Sequence, residues 1–111
     1  MKFHVTQKNI IYMITCEKEN CQQKNKIKQK YIGESGRSLK DRICEHLGYV
    51  RNKNLKQATG LHFNLPGHSR DDLKVTVLEK VVSTDPLYRK EREAFHIRRF
   101  NTFYYGLNRT P

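Results

Sequence analysis

The chain has 111 residues and a mass of 13.2 kDa, and its 22 Lys and Arg against 11 Asp and Glu give a formal charge of +11 and a pI near 9.8. Only 36% of its residues are apolar, enough for one small domain with a thin core and too little for a large catalytic scaffold. No stretch approaches the roughly 20 apolar residues that span a bilayer, and Met1-Lys2-Phe3-His4 leads into no apolar segment of signal-peptide type, so the expected compartment is nucleus or cytosol rather than the exterior.

Ile10-Ile11-Tyr12-Met13-Ile14 is short, β-branched and apolar on both alternations, which predicts a central strand buried on both faces. Residues 17–30 are hydrophilic and carry Lys18, Lys24, Lys26, Lys28 and Lys30, as a solvated loop or hairpin tip does. Tyr31-Ile32-Gly33 reads as a second short strand entering a turn at Glu34-Ser35-Gly36. Ser38 is placed to cap a helix over 39–50 that turns Leu39, Ile43, Leu47 and Val50 inward, with Arg42, His46 and Tyr49 along one border. A short helix over 55–62 precedes the Leu65-Pro66-Gly67 turn. Period-two alternation over 73–78 predicts a strand with one wet face. Thr84-Asp85-Pro86 starts a helix that runs to Phe100, with Leu87, Ala94, Ile97 and Phe100 as its apolar arc and Glu93 projecting among them. Gly106-Leu107-Asn108 closes the chain in an irregular segment. The whole is read as one unit without repeats.

The cations are distributed, 12 basic and 5 acidic residues over 1–55 and 10 and 6 over 56–111, which describes a basic surface on a folded domain. Such a field suits DNA or RNA, because each neutralised phosphate releases condensed counterions. A membrane partner is not expected, since the chain has no Trp and no helix with a broad apolar face. Phosphodiester hydrolysis needs an activator of the nucleophile, a cation against the developing phosphorane charge and a metal ligand. Tyr12, Tyr31, Arg42, His46 and Glu93 offer these groups, although each taken singly is as readily a packing or ion-pairing residue. A zinc-stabilised DNA- or RNA-binding module without activity, and a small basic RNA-scaffold protein, are the competing classes. Cys16-x4-Cys21 and His62-x5-His68 form a second constellation, suited to tetrahedral zinc, though about 40 residues separate the pairs where compact fingers use about 12–15. Unrelated surface residues fit the same spacing, and a Cys16–Cys21 disulfide fits a reducing compartment poorly.

Taken in order, Ile10-Ile11-Tyr12, the run from Tyr31-Ile32-Gly33 through Arg37 and Lys40 to Arg42, then His46, Glu93 and Gly106-Leu107-Asn108 resemble the GIY-YIG endonuclease domain over about 9–108. Ile10 stands where the name-giving motif has Gly. The resemblance implies an α+β fold, a small three-stranded antiparallel-type sheet flanked by helices. It implies Tyr12, Tyr31, Arg42, His46, Glu93 and Asn108 as catalytic residues, Glu93 as holder of a catalytic Mg2+ or Mn2+, and products with a 5′-phosphate and a 3′-hydroxyl. Lys30, Gly33, Arg37, Lys40, Arg89 and Lys90 are the expected DNA contacts. A Cys pair between the tyrosine motifs and a His pair after the first helix look like the zinc-finger-bearing subtype of Penelope-like retroelements. That likeness favours structural Zn2+ at Cys16, Cys21, His62 and His68, and implies reverse transcriptase and element RNA as partners beside the DNA duplex. It also reads the chain as excised from a longer polyprotein. Cys44 is left as a small core residue, and His4 and His96 as ordinary side chains.

Overall fold

A computed structural model of the chain describes residues 6–19, 21 and 28–109. The β-branched run forms β1 (Ile10–Cys16), which pairs antiparallel with β2 (Lys30–Ser35) on one side and with β3 (Leu73–Lys80) on the other, giving the order β2-β1-β3. As the middle strand, β1 is apolar on both alternations because both faces are covered. Ile10, Tyr12, Ile14 and Cys16 pack with Leu39, Val50, Phe63 and Val75 on one face, and Ile11 packs with Ile32, Val81 and Ile97 on the other. Each fully buried aliphatic side chain contributes about 2 kcal/mol. Glu34 and Ser35, expected in a turn, continue β2 as partners of Ile11 and Ile10, and the bend begins at Gly36.

Helix α1 (Leu39–Arg51) starts where Ser38 accepts a hydrogen bond from the Asp41 N–H and stops at Asn52, beyond which Lys53 takes φ 53°. The next helix, α2 (Ala58–His62), begins three residues later than its pattern predicts, because 54–57 form turns in which Lys56 N–H reaches the Asn54 side chain. A single 3-10 turn, Arg70–Asp72, capped by Ser69, leads into β3. Helix α3 (Pro86–Phe100) has Asp85 capping the Leu87 N–H and Pro86 in its first turn, and it ends at Asn101 in the left-handed conformation. One further turn, α4 (Thr102–Tyr105), follows.

Two core expectations fail for a geometric reason. Cys44 is exposed, since one residue past Ile43 turns about 100° off the buried stripe of α1. Leu87 is 72% exposed, lying about 80° around α3 from the buried Ile97. His4, Lys24 and Lys26 lie outside the described residues. No helix among the described residues is long and apolar enough to cross a membrane.

Candidate active site and metal centre

A polar cleft of about 320 Å³ opens along β2, with Arg42 of α1, Tyr31 and Glu34 of β2, Lys90 and Glu93 of α3, and Lys56, Asn108 and Arg109 in its walls. Tyr12, fully buried beside it, bonds His46 from Oη to Nε2 at 2.8 Å, and His46 Nδ1 lies 2.7 Å from Thr59 Oγ1. Tyr31 and Tyr49 meet the imidazole edge-on, with centroids 5.4 and 5.6 Å away. Burial, and after it the Arg42 charge, pushes the His46 pKa down to about 3, so the ring is neutral at physiological pH. Burial likewise lifts both phenols above their ordinary values, and the Arg42 guanidinium opposes that rise at each.

Two expectations follow from this packing. Gly33 lies opposite Tyr12 in the register, and a Cβ there would overlap the Tyr12 hydroxyl. Gly33 is therefore a spacer that admits the phenol. Gly33→Ala is expected to displace Tyr12 Oη and break its bond to His46, seen as a shift of the His46 ring-nitrogen resonances on protein whose helix content is unchanged. The second concerns acid. The unfolded chain binds a proton at His46 below about pH 6.5, whereas the folded chain does so only near 3, so stability falls as pH drops through that window by up to about 1.4 kcal/mol per unit. Melting curves from pH 7.5 to 5.0 should show this slope, and it should be shallower in His46→Gln.

Glu93 faces the cleft half-buried, and its carboxyl is held above the ordinary range by burial and then by the nearby Glu34 charge. Glu34 itself would be raised by burial, but Arg89 and Lys90 hold it below the usual range. Arg89 Nε donates to Glu34 at 2.5 Å and its guanidinium to Asn9 Oδ1 at 2.9 Å, while Asn9 Nδ2 donates to the carbonyls of Val81 and Ser83. This network ties α3 to β2 and β1 one turn before Glu93. With its side chain 14% exposed, Arg89 is held by Glu34 and Asn9 as a structural cation. Lys90 remains 63% exposed on the rim, 3.3 Å from Glu34.

Asn108 accepts the Ile32 N–H and the Thr102 hydroxyl at Oδ1 and donates Nδ2–H to the Ile32 carbonyl. It caps the outer edge of β2, as Leu107 N–H does at Lys30 O, so its carboxamide positions the strand that carries Tyr31. Arg42 and Arg37 both pair with Glu45, and Lys40 is exposed on α1.

Below α2, one ligand atom each from Cys16, Cys21, His62 and His68 lies within 4.8 Å of all the others. Cys21 Sγ is 3.7 Å from His62 Nε2 and 3.4 Å from His68 Nε2. A tetrahedral zinc with ordinary Zn–S and Zn–N bonds sets sulfur and nitrogen ligands about 3.5 Å apart, so the donor set fits. Burial raises the Cys16 thiol, and burial and His68 lower the His62 imidazole. A dication would satisfy both, stabilising a thiolate and binding a neutral ring.

A family model described as the GIY-YIG catalytic domain matches residues 8–108, nearly the whole chain. The chain belongs to the GIY-YIG family. No curated protein matches it, and no solved structure does. Family membership indicates a nuclease, a hydrolase acting on DNA. The antiparallel three-stranded sheet with flanking helices is the α+β architecture expected of a GIY-YIG domain. Ile10, in place of the motif glycine, has its side chain buried in the same core cluster as Tyr12 and Leu39, and Tyr12 two residues on keeps its bond to His46. The GIY-YIG site also contains residues that pattern reading missed. Thr59, Glu34, Asn9, Lys56 and Arg109 reach it only through tertiary contacts, and no local periodicity marks them. His96, read as ordinary, is buried with Nε2 2.9 Å from Glu79, which Arg92 also pairs.

Proposed function

We propose that this GIY-YIG domain is a divalent-metal-dependent DNA nickase that leaves 5′-phosphate and 3′-hydroxyl ends and works within a Penelope-like retroelement protein. The observation that carries the reading is the convergence of Arg42, Tyr31 and Glu93 on one polar cleft, with the Tyr12–His46 hydrogen bond beside it. The Cys2His2 group supports the subtype. In that setting the new 3′-hydroxyl primes a reverse transcriptase domain copying element RNA, inside the nucleus.

Arg42 binds the scissile phosphate through its planar fork and stabilises charge on the non-bridging oxygens. Lys90 on one rim, and Lys56 and Arg109 on the other, hold flanking phosphates, with Lys30, Arg37 and Lys40 as outer contacts. Tyr31, in the cleft wall, orients the attacking water, whose proton passes to Tyr12 Oη as Tyr12 gives its own proton to His46 Nε2. The phosphate's negative charge offsets Arg42, the second cause of the low His46 pKa, so the imidazole gains basicity when substrate arrives. A cleft carboxylate whose charge is opposed by Glu34, itself paired with Arg89 and Lys90, fits Mg2+ or Mn2+ with water completing the shell, and Glu93 would hold it. Bound there, the ion supplies Lewis-acid stabilisation of the phosphoryl oxygens.

The test is the chemistry of the ends. Plasmid nicked in Mg2+ should be resealed by a DNA ligase without prior end repair, because ligase joins only a 5′-phosphate to a 3′-hydroxyl. Nicks that resist ligation until treated with a phosphatase and kinase would overturn the assignment.

A further inference from the structure

We infer that Thr59 is a positioning residue that sets the tautomer of His46, holding the Nδ1 proton so that Nε2 presents its lone pair to Tyr12. The inference rests on the catalytic reading of Tyr12 and His46.

The Tyr12 hydroxyl fixes the proton positions. It is fully buried, so its one proton needs an acceptor, and the acceptor found is His46 Nε2 at 2.8 Å. The other side chain hydrogen-bonded to the phenol, the Arg42 guanidinium, has only donors and cannot take that proton, and Tyr31 and Glu93 act on it through charge alone. Nε2 is therefore unprotonated. The ring is neutral, so its single proton lies on Nδ1, and the group 2.7 Å from Nδ1 is Thr59 Oγ1, which accepts it. Thr59 is 1% exposed, so water does not substitute for it.

The backbone is built to deliver this hydroxyl. At the next residue, Gly60, a Cβ would collide with the carbonyl of Asn54 and lie 3.1 Å from that of Tyr49. Only glycine lets α2 press against the end of α1, and that approach carries Thr59 to His46. Three residues after Thr59, His62 joins the Cys16, Cys21 and His68 group, so the same short helix is fixed at its other end by the metal ligands. A hydroxyl on α2 thus orients a base on α1. With Nδ1 left without an acceptor, the proton moves to Nε2, and Tyr12 loses the lone pair it donates to.

The test uses zinc-loaded full chain, wild type, Thr59→Val and Thr59→Ser. Valine keeps the shape and removes the acceptor; serine restores it. Long-range proton–nitrogen correlation spectra, which need no nuclease activity, should show His46 with Nδ1 protonated in wild type and Thr59→Ser, and Nε2 protonated in Thr59→Val. Single-turnover cleavage should fall about 10²-fold in Thr59→Val with DNA affinity unchanged, and return to within about threefold in Thr59→Ser. Wild-type His46 protonated at Nε2, or Thr59→Val retaining the Nδ1 proton, overturns the inference whether or not the protein cuts DNA. A wild-type chain that shows the Nδ1 proton but cuts no DNA leaves the positioning intact and removes the catalytic reading instead. Should Thr59→Val not fold, Thr59→Cys, a weaker acceptor of similar size, is read in the same spectra, and an Nδ1 signal unchanged from wild type overturns the inference.

Discussion

Glu93→Gln is expected to abolish measurable cleavage, a loss of at least about 10³-fold in the single-turnover rate or about 4 kcal/mol of transition-state stabilisation, while leaving the protein as stable as wild type or slightly more so. The two halves of this result have one cause. The carboxyl of Glu93 is held above its ordinary pKa by burial and by Glu34, so its ionised form costs folding free energy at neutral pH. The sign follows from linkage: a carboxylate whose folded pKa is raised destabilises the native state wherever it is charged. Glutamine keeps the shape, removes the charge and relieves the repulsion. It also removes the one cleft carboxylate that no cation pairs closely, since Glu34 is held by Arg89 and Lys90. Melting temperature and cleavage measured on one preparation check both halves. A fall in stability that accompanies the loss of activity would assign Glu93 a structural role.

Removal of zinc is expected to unfold the domain rather than loosen one corner of it. Cys16 ends the central strand, Cys21 lies in the connection to β2, His62 ends α2, and His68 precedes the turn into β3, so one ion would join four segments. Structural zinc contributes an apparent ~10–16 kcal/mol at neutral pH, against a total stability of about 5–15 kcal/mol for a typical domain. The core cannot make up that difference, since among the described residues its two clusters comprise only nine and four buried side chains, and Cys16 and Cys21 of the larger one are themselves metal ligands. A chelator that competes for zinc, or Cys21→Ala, should give loss of amide dispersion and of protease resistance, with about one equivalent of zinc released from wild type. A metal-free chain with native dispersion would contradict it.

What could be read from the sequence was whatever is encoded locally. Ser38 and Asp85-Pro86 mark helix starts because a cap acts within three residues, and the run at Ile10 marks a doubly covered strand because burial on both faces removes the polar alternation. The Cys and His pairs were legible as types but ambiguous as a group. Only the docking of α2 under α1 brings residues more than 40 apart to 3.4–3.7 Å. Thr59 carried no signal, since a threonine in a five-residue helix is featureless until His46 is beside it. The tie from Arg89 to Glu34 and Asn9 is equally invisible in the sequence. A helical arginine looks solvated, and its partners Glu34 and Asn9 are 55 and 80 residues away. The backbone hydrogen bonds of Asn108 are visible only once the edge of β2 is known. Cys44 and Leu87 are apolar residues whose angles around α1 and α3 carry them off the buried stripe, so residue type alone does not place them in the core.

The central claim is that the cleft formed by Arg42, Tyr31 and Glu93 cuts DNA, and the most direct measurement is the conversion of supercoiled plasmid by the zinc-loaded chain with Mg2+ present or withheld. Accumulation of open-circular plasmid that depends on Mg2+ is the predicted result. Salt-sensitive plasmid binding with no strand cut at any Mg2+ or Mn2+ concentration would contradict it and leave a basic, zinc-stabilised binding module in its place.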